Sequence, residues 1–174
     1  MKIFKIVKDS NPNLRNKCKN VEFPLSEEIK TTLFDMLEYL KLSQDPAFLE
    51  KHPNITSGVG LAAPQIGVSK RIVVIDVGDG LFELINPVIV KKEGKVVGAE
   101  GCLSVPDYEG EVERAAYVEC EFTDRNGKRM LLQAHELLAI CIQHELDHLD
   151  GVLFIDKAQT LSPKAKEKPT DVVK

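Results

Sequence analysis

The stretch Cys141-Ile142-Gln143-His144-Glu145-Leu146-Asp147-His148 constrains this chain more than any other, because it sets two imidazoles four residues apart with a glutamate directly after the first. On a helix of about 3.6 residues per turn, positions i and i+4 share a face. His144 and His148 can then grip one cation while Glu145, roughly 100° round, reaches a water beside it. The HExxH pattern thus offers two metal ligands and a general base for hydrolysis. Short motifs also arise by chance on solvated helices, so the rest of the chain has to supply what the pair lacks.

A catalytic divalent ion takes three protein ligands and keeps one position open. Extension to HExxHxxGxxH fails, since Gly151 fits but the last position is Phe154, which has no donor atom. Asp156 lies two residues further on, and Glu167 sits in a lysine-rich tail punctuated by proline. Upstream, Glu100-Gly101-Cys102-Leu103-Ser104 puts a cysteine directly after a glycine, where backbone can approach an ion closely. Cys102 is therefore the candidate third ligand, against the plain alternatives of a buried structural cysteine or a free loop thiol.

A glycine-rich stretch, Gly58-Val59-Gly60-Leu61-Ala62-Ala63-Pro64-Gln65-Ile66-Gly67, lacks the Gly-Lys-Ser/Thr that holds phosphates and follows no clear strand, which argues against nucleotide binding. It reads either as a tight loop whose glycines permit unusual dihedrals or as part of the site. Gln65 favours the second, because a neutral carboxamide donor beside a metal is what a developing oxyanion needs.

With 174 residues, 43% of them hydrophobic, the chain can bury one core and has no apolar run near the ~20 residues that cross a membrane. Lysines alternate with apolar residues from Met1 to Lys8, leaving no signal-peptide core, so the expected location is the cytoplasm. Cys18, Cys102, Cys120 and Cys141 have no short paired spacing and read as reduced thiols. A net charge of −4 without a long basic block gives no support for direct DNA or RNA binding. The expected organisation is one catalytic domain over 1–158 and a solvated, flexible tail over 159–174, including Ser162 and Pro163.

Periodicity predicts a helix from Ser26 to about Leu42, capped by Ser26 and carrying an apolar stripe of Ile29, Leu33, Met36, Leu37 and Leu40. Asp45-Pro46 stops it, and residues 47–57 form a surface connection with room for a short helical turn. Strands are expected over 72–77, 84–90, 95–99, 112–122 and 128–133, mostly as antiparallel meanders. Helical period returns from about His135 to Asp150, with Leu137, Ile140, Cys141, His144 and His148 on one stripe and Gly151 as terminator. The fold class is α+β: antiparallel sheets packed around a C-terminal HExxH helix, with the N-terminal helix on the sheet. Glu100 and Arg114 read either as an ion pair steadying the Cys102 loop or as separate surface charges, while Asp147 and Asp150 are expected to face solvent.

Three ordered blocks, Gly58 to Gly67, Glu100 to Ser104 and Gln143 to His148, resemble the motifs of the peptide deformylases. The resemblance runs from about Ile3 to Asp156. Two departures are a longer segment between Leu42 and Ser57 and the lack of an obvious long terminal helix. The resemblance implies a hydrolase that removes the N-formyl group from the initiator methionine of nascent chains and releases formate, with transient ribosome contact. It implies Fe(II) as the physiological ion, replaceable by Zn(II), Ni(II) or Co(II), held by Cys102, His144 and His148. It also implies that the Gln65 side chain and the backbone N–H of Leu103 bind the formyl oxygen. Val59, Gly60, Leu137, Ile140 and Cys141 can line a slot for the methionine side chain, although helix spacing alone fits ordinary core for those on the helix. Two other readings stay open: a general HExxH endopeptidase, which would need a third His, Asp or Glu ligand, and a structural zinc protein, which would need four ligands and neither Glu145 nor Gln65.

Overall fold

In the computed structural model, which describes residues 2–78 and 80–164, the first regular helix is α1 (Glu27–Ser43). The Ser26 side chain accepts from Ile29 N–H at 3.2 Å, and Glu27 and Glu28 occupy the electropositive first turn. Leu33, Met36 and Leu40 are fully buried as expected, each stabilising by about 1.5–3 kcal/mol. Ile29 and Leu37 are only partly buried, and Tyr39 takes a central place, so the apolar stripe is rotated slightly from the predicted one. Pro46 opens a short helix α2 (Pro46–Lys51), with the Asp45 carboxylate accepting from Ala47 N–H at 2.9 Å.

The strands follow as β1 (Gly60–Ala62), β2 (Ile72–Asp76), β3 (Leu81–Glu93), β4 (Val96–Cys102), β5 (Val105–Arg114), β6 (Tyr117–Thr123) and β7 (Arg129–His135). Helix α3 (Glu136–Leu149) leaves β7 without an intervening loop, and β8 (Thr160–Pro163) ends the described chain. One antiparallel sheet has the order β1-β2-β3-β6-β7 and the other β4-β5-β8. Strand β2 is apolar at four successive positions because it is covered on both sides: Ile72 and Val74 pack with α1, Val73 and Ile75 with α3. Alternation is lost for that reason. Between β3 and β6 the chain leaves the first sheet, builds β4 and β5, and returns.

Two expectations about boundaries give way. The predicted strand over 112–122 is the end of β5 and the start of β6, separated at Ala115-Ala116. The chain also stays ordered past Ala158: Thr160 to Pro163 pair with Glu111 to Tyr108, so Ser162 and Pro163 belong to a sheet, and residues 165–174 lie outside the described residues. Gly110 makes this pairing possible, since a Cβ there would stand 2.4 Å from the Thr160 carbonyl oxygen.

Helix α3 is the pivot. Ala139, Ile142, Leu146 and Leu149 bury against Val73, Ile75, Leu84, Val118 and Cys120 of the larger sheet. The predicted stripe therefore does not double as core: Leu137, Ile140, Cys141 and His144 face a cleft, and the face buried on the sheet is the neighbouring one, with only Cys141 shared between them. Gly151, at φ 74°, ends the helix as expected. Among the described residues no helix is long and apolar enough to cross a membrane.

Candidate metal centre

Helix α3 and the turn at the end of β4 bring one atom each from Cys102, His144 and His148 to within 4.8 Å of one another. The Cys102 sulfur is 3.3 Å from His148 Nε2. Ligand bonds of about 2.0–2.3 Å at tetrahedral angles would separate two donors by roughly 3.5 Å, so the cluster has the dimensions and the soft-plus-imidazole donors of a divalent-ion site.

Glu100 fixes the orientation of the first histidine. Its carboxylate lies 2.8 Å from His144 Nδ1 and takes two hydrogen bonds from Arg114, Nε and NH2 each at 2.9 Å. Burial would raise the Glu100 carboxyl, but the hydrogen bonds and charges of Arg114 and His144 outweigh it and hold the group at about 2. An ionised carboxylate only accepts, so Nδ1 carries the proton, which leaves Nε2 turned toward the sulfur. Burial opposes charge on His144, yet bonds to Cys102 and Glu100 prevail and push it up to about 10, so a cation and a proton compete for the same imidazole nitrogen. His148 is pulled down to about 3, by burial first and by the charges of His144 and Arg114 second.

Glu145 faces the cleft from the same helix. Burial pushes its carboxyl up to about 7, and its Oε2 has no hydrogen-bond partner among the described residues. A buried, unpartnered carboxylate next to a ligand cluster is suited to exchange protons with a molecule in the cleft. Its Oε1 lies against Gly60, where a Cβ would come within 2.7 Å. Gln65 stands opposite: its Oε1 accepts from Ala62 N–H at 3.0 Å, and its Nε2 donates to Ser104 Oγ at 3.2 Å and toward the Cys102 sulfur at 3.6 Å. The cleft, of about 1270 Å³, also takes in Val59, Gly60, Leu103, Leu137, Ile140 and Cys141. Every residue assigned from the sequence to ligation, catalysis or the side-chain slot thus borders one space, apart from His148, which lies behind it.

The sequence profile of the polypeptide deformylase family matches residues 3–164. This chain belongs to the polypeptide deformylase family. A peptide deformylase of Acetivibrio thermocellus is 49% identical over 152 residues, covering 87% of this chain and 81% of the relative. One of Desulfitobacterium hafniense is 46% identical over 162 residues, covering 93% and 99%. Among solved structures, the Thermotoga maritima peptide deformylase superposes with a TM-score of 0.78 at 34% identity, covering 92% of this chain and all of that one. A Synechococcus elongatus peptide deformylase in complex with actinonin gives 0.78 at 36% identity, over 90% and 79%.

Three features of this deformylase site escaped the sequence reading. Asp147 does not face solvent freely: it takes Arg114 NH1 at 2.6 Å and Lys157 Nζ at 3.1 Å. Gln143, quoted in the third motif without a role, is buried and holds both backbone polar atoms of Ala115 at 2.9 Å. Ser104, fully buried, carries the Gln65 side chain. The i, i+4 spacing of Gln143 and Asp147 was a usable signal, being a second polar ridge beside the two histidines. Asp150 is exposed as expected but pairs with Arg71 at 2.9 Å, and Asp156, the alternative third ligand, is turned to Arg15 and Leu153 N–H.

Proposed function

We propose that this chain is a metal-dependent amide hydrolase that removes the N-formyl group from the initiator methionine of nascent polypeptides and releases formate. The observation that supports it best is a buried, unpartnered Glu145 carboxylate at the base of a cleft, beside the Cys102, His144 and His148 donors. Fe(II) is the ion we assign to the site, and when bound it supplies Lewis acidity to a water and to the formyl carbonyl.

Glu145 takes the proton from the attacking water and returns it to the leaving amine, whose nitrogen becomes the free α-amino group. Gln65 Nε2 and the Leu103 N–H receive the oxygen on which charge develops. Glu100, held by Arg114, keeps His144 in one tautomer throughout. Val59, Gly60, Leu137, Ile140 and Cys141 take the methionine side chain, a largely apolar lining matched to a flexible thioether. The work takes place in the cytoplasm on chains leaving the ribosome, with transient contact there.

Purified protein loaded with Fe(II) without oxygen should hydrolyse a formyl-methionyl peptide and leave its acetylated and internal-amide analogues nearly untouched. Cleavage of internal amides would make it an endopeptidase, and a tightly bound ion with no turnover on any of the three would make the centre structural.

A further inference from the structure

The two groups assigned to the formyl oxygen stand on different layers. Gln65 sits in a 3₁₀ turn (Ala63–Ile66) that follows β1 of the larger sheet, and Leu103 lies in the turn between β4 and β5 of the smaller one. Their separation decides whether one oxygen can meet both donors, since such donors act only within about 2.7–3.1 Å of the charge. Side-chain contacts from Gln65 to Ser104 and Cys102 cross the gap directly.

A second link runs through the N-terminal segment. Val7 N–H donates to the Gln65 carbonyl at 2.8 Å, Asp9 N–H donates to the Ser104 carbonyl at 3.0 Å, and between them Lys8 Nζ donates to the Leu103 carbonyl at 3.0 Å. The same segment is sewn into both layers: Phe4 and Ile6 pack with the α1 core, Val7 with the core of the smaller sheet. Lys8 is exposed, borders the cleft, and forms no ion pair with an acidic side chain among the described residues. Its ammonium is instead committed to a backbone oxygen. That oxygen belongs to the peptide plane after Leu103, whereas the Leu103 N–H belongs to the plane before it, which Cys102 and its pairing with Val105 hold. The two planes meet at the Leu103 Cα within a two-residue turn, so anchoring the second one keeps the whole turn, and with it the Leu103 N–H, from rocking about its ends.

We propose that Lys8 is a positioning residue for the oxyanion pocket, acting through the Leu103 carbonyl, and that Val7-Lys8-Asp9 is the splint that sets the distance between the Gln65 and Leu103 donors. This rests on the deformylase reading above. Removal of the ammonium unpins the Leu103–Ser104 plane and lets the turn rock, without touching a ligand, Glu145 or the methionine slot.

The test compares wild type, Lys8→Met and Lys8→Arg, each loaded with the same ion without oxygen, for deformylation kinetics, metal content and thermal midpoint. In Lys8→Met kcat should fall about tenfold, less than the 10²–10³ lost when an oxyanion donor is itself removed. KM should stay within about twofold, with metal content and midpoint unchanged, and Lys8→Arg should recover most of the rate. An active wild type with unchanged kcat in Lys8→Met overturns the proposal alone. So does a rise in KM without loss of kcat, which would make Lys8 a substrate contact, or a loss that tracks a lowered midpoint. A wild type without deformylation under these conditions overturns the deformylase reading itself.

Discussion

Arg114 lies flat against Glu100, with Nε and NH2 each 2.9 Å from one carboxylate oxygen, while its remaining terminal nitrogen reaches Asp147 at 2.6 Å. One guanidinium thus ties the strand bearing Cys102 to the helix bearing both histidines. Its fork geometry cannot be copied by an ammonium. Arg114→Met should weaken metal binding by about 10–100-fold, the cost of losing an outer partner of a ligand. It should also lower stability by about 3–5 kcal/mol, because Glu100 is left charged and buried. Competition with a chelator and thermal melting measure the two; Arg114→Lys should fall between, and an unchanged metal affinity would detach Glu100 from the centre.

The same pair predicts an acid limit. Burial works against the Glu100 charge, but Arg114 and His144 hold its folded value at about 2, below the ordinary 4.5. A depressed carboxylate contributes its full stabilisation above the ordinary value and loses it as pH falls through the folded one. Melting curves of the metal-free protein should therefore lose this contribution between pH 4.5 and about 2. In Glu100→Gln that part of the acid dependence should be missing; an identical profile in the two proteins would contradict the assignment.

Gly60 reserves room for the general base. A Cβ at this position would meet Glu145 Oε1 at 2.7 Å and Cγ at 2.9 Å, so the glutamate side chain has to shift to admit it. Gly60→Ala should displace the carboxylate and reduce kcat by part of the 10²–10⁴ that proton transfer supplies, about tenfold or more. Metal content should be unchanged. Full activity in this variant would mean that Glu145 works from another rotamer.

Gly151 has a structural task, which separates it from the site although it lies three residues past His148. Its φ of 74° costs about 1–3 kcal/mol for a residue with a side chain. A Cβ would also stand 2.1 Å from the Arg15 carbonyl oxygen. Gly151→Ala should lower the thermal midpoint sharply, whereas Gly98→Ala, with nothing within 4 Å of the new Cβ, should leave it nearly unchanged. Equal midpoints would show that the Arg15 segment gives way freely.

Legible in the sequence is what repeats or what chemistry demands at fixed spacing. His144, Glu145 and His148 follow from helical geometry, Ser26 and Gly151 from capping, and Leu33, Met36 and Leu40 from the 3.6 period. Positions set by partners far along the chain left no such trace. Strand β8 carries Pro163 and polar residues, and it is a strand only because β5 offers it an edge and Gly110 lets it close in. Asp147 looks like a solvated helix residue until β5 delivers Arg114 to it, and Lys8 looks like a surface lysine until the fold places the Leu103 carbonyl within its reach. Periodicity gives Leu137 and Ile140 a core role on α3 and passes over Ala139, Ile142, Leu146 and Leu149, because it cannot tell a face that meets a sheet from one that meets a cleft.

The identity of the ion is where ligand chemistry and family resemblance part. One thiolate and two neutral imidazoles with an open position would by donor preference suggest Zn(II), whereas the resemblance implies Fe(II). A single thiolate leaves the ion and its ligands with a net charge of only +1, so water should be less acidified than beside three neutral histidines. An ion that widens its coordination readily can offset this by polarising the formyl oxygen as well, and ferrous iron does so more easily than zinc. The penalty is exposure: Cys102 is only partly buried and borders the cleft, so dioxygen can reach both sulfur and iron. An Fe(II) form should therefore be fast and decay in air, Ni(II) or Co(II) forms active and durable, and a Zn(II) form slow. Cys102→Ala should lose both metal and turnover with every ion. Reconstitution of the metal-free protein with each ion without oxygen, followed by deformylation assays before and after exposure to air, decides the matter; a Zn(II) form as fast as the Fe(II) form would overturn the assignment.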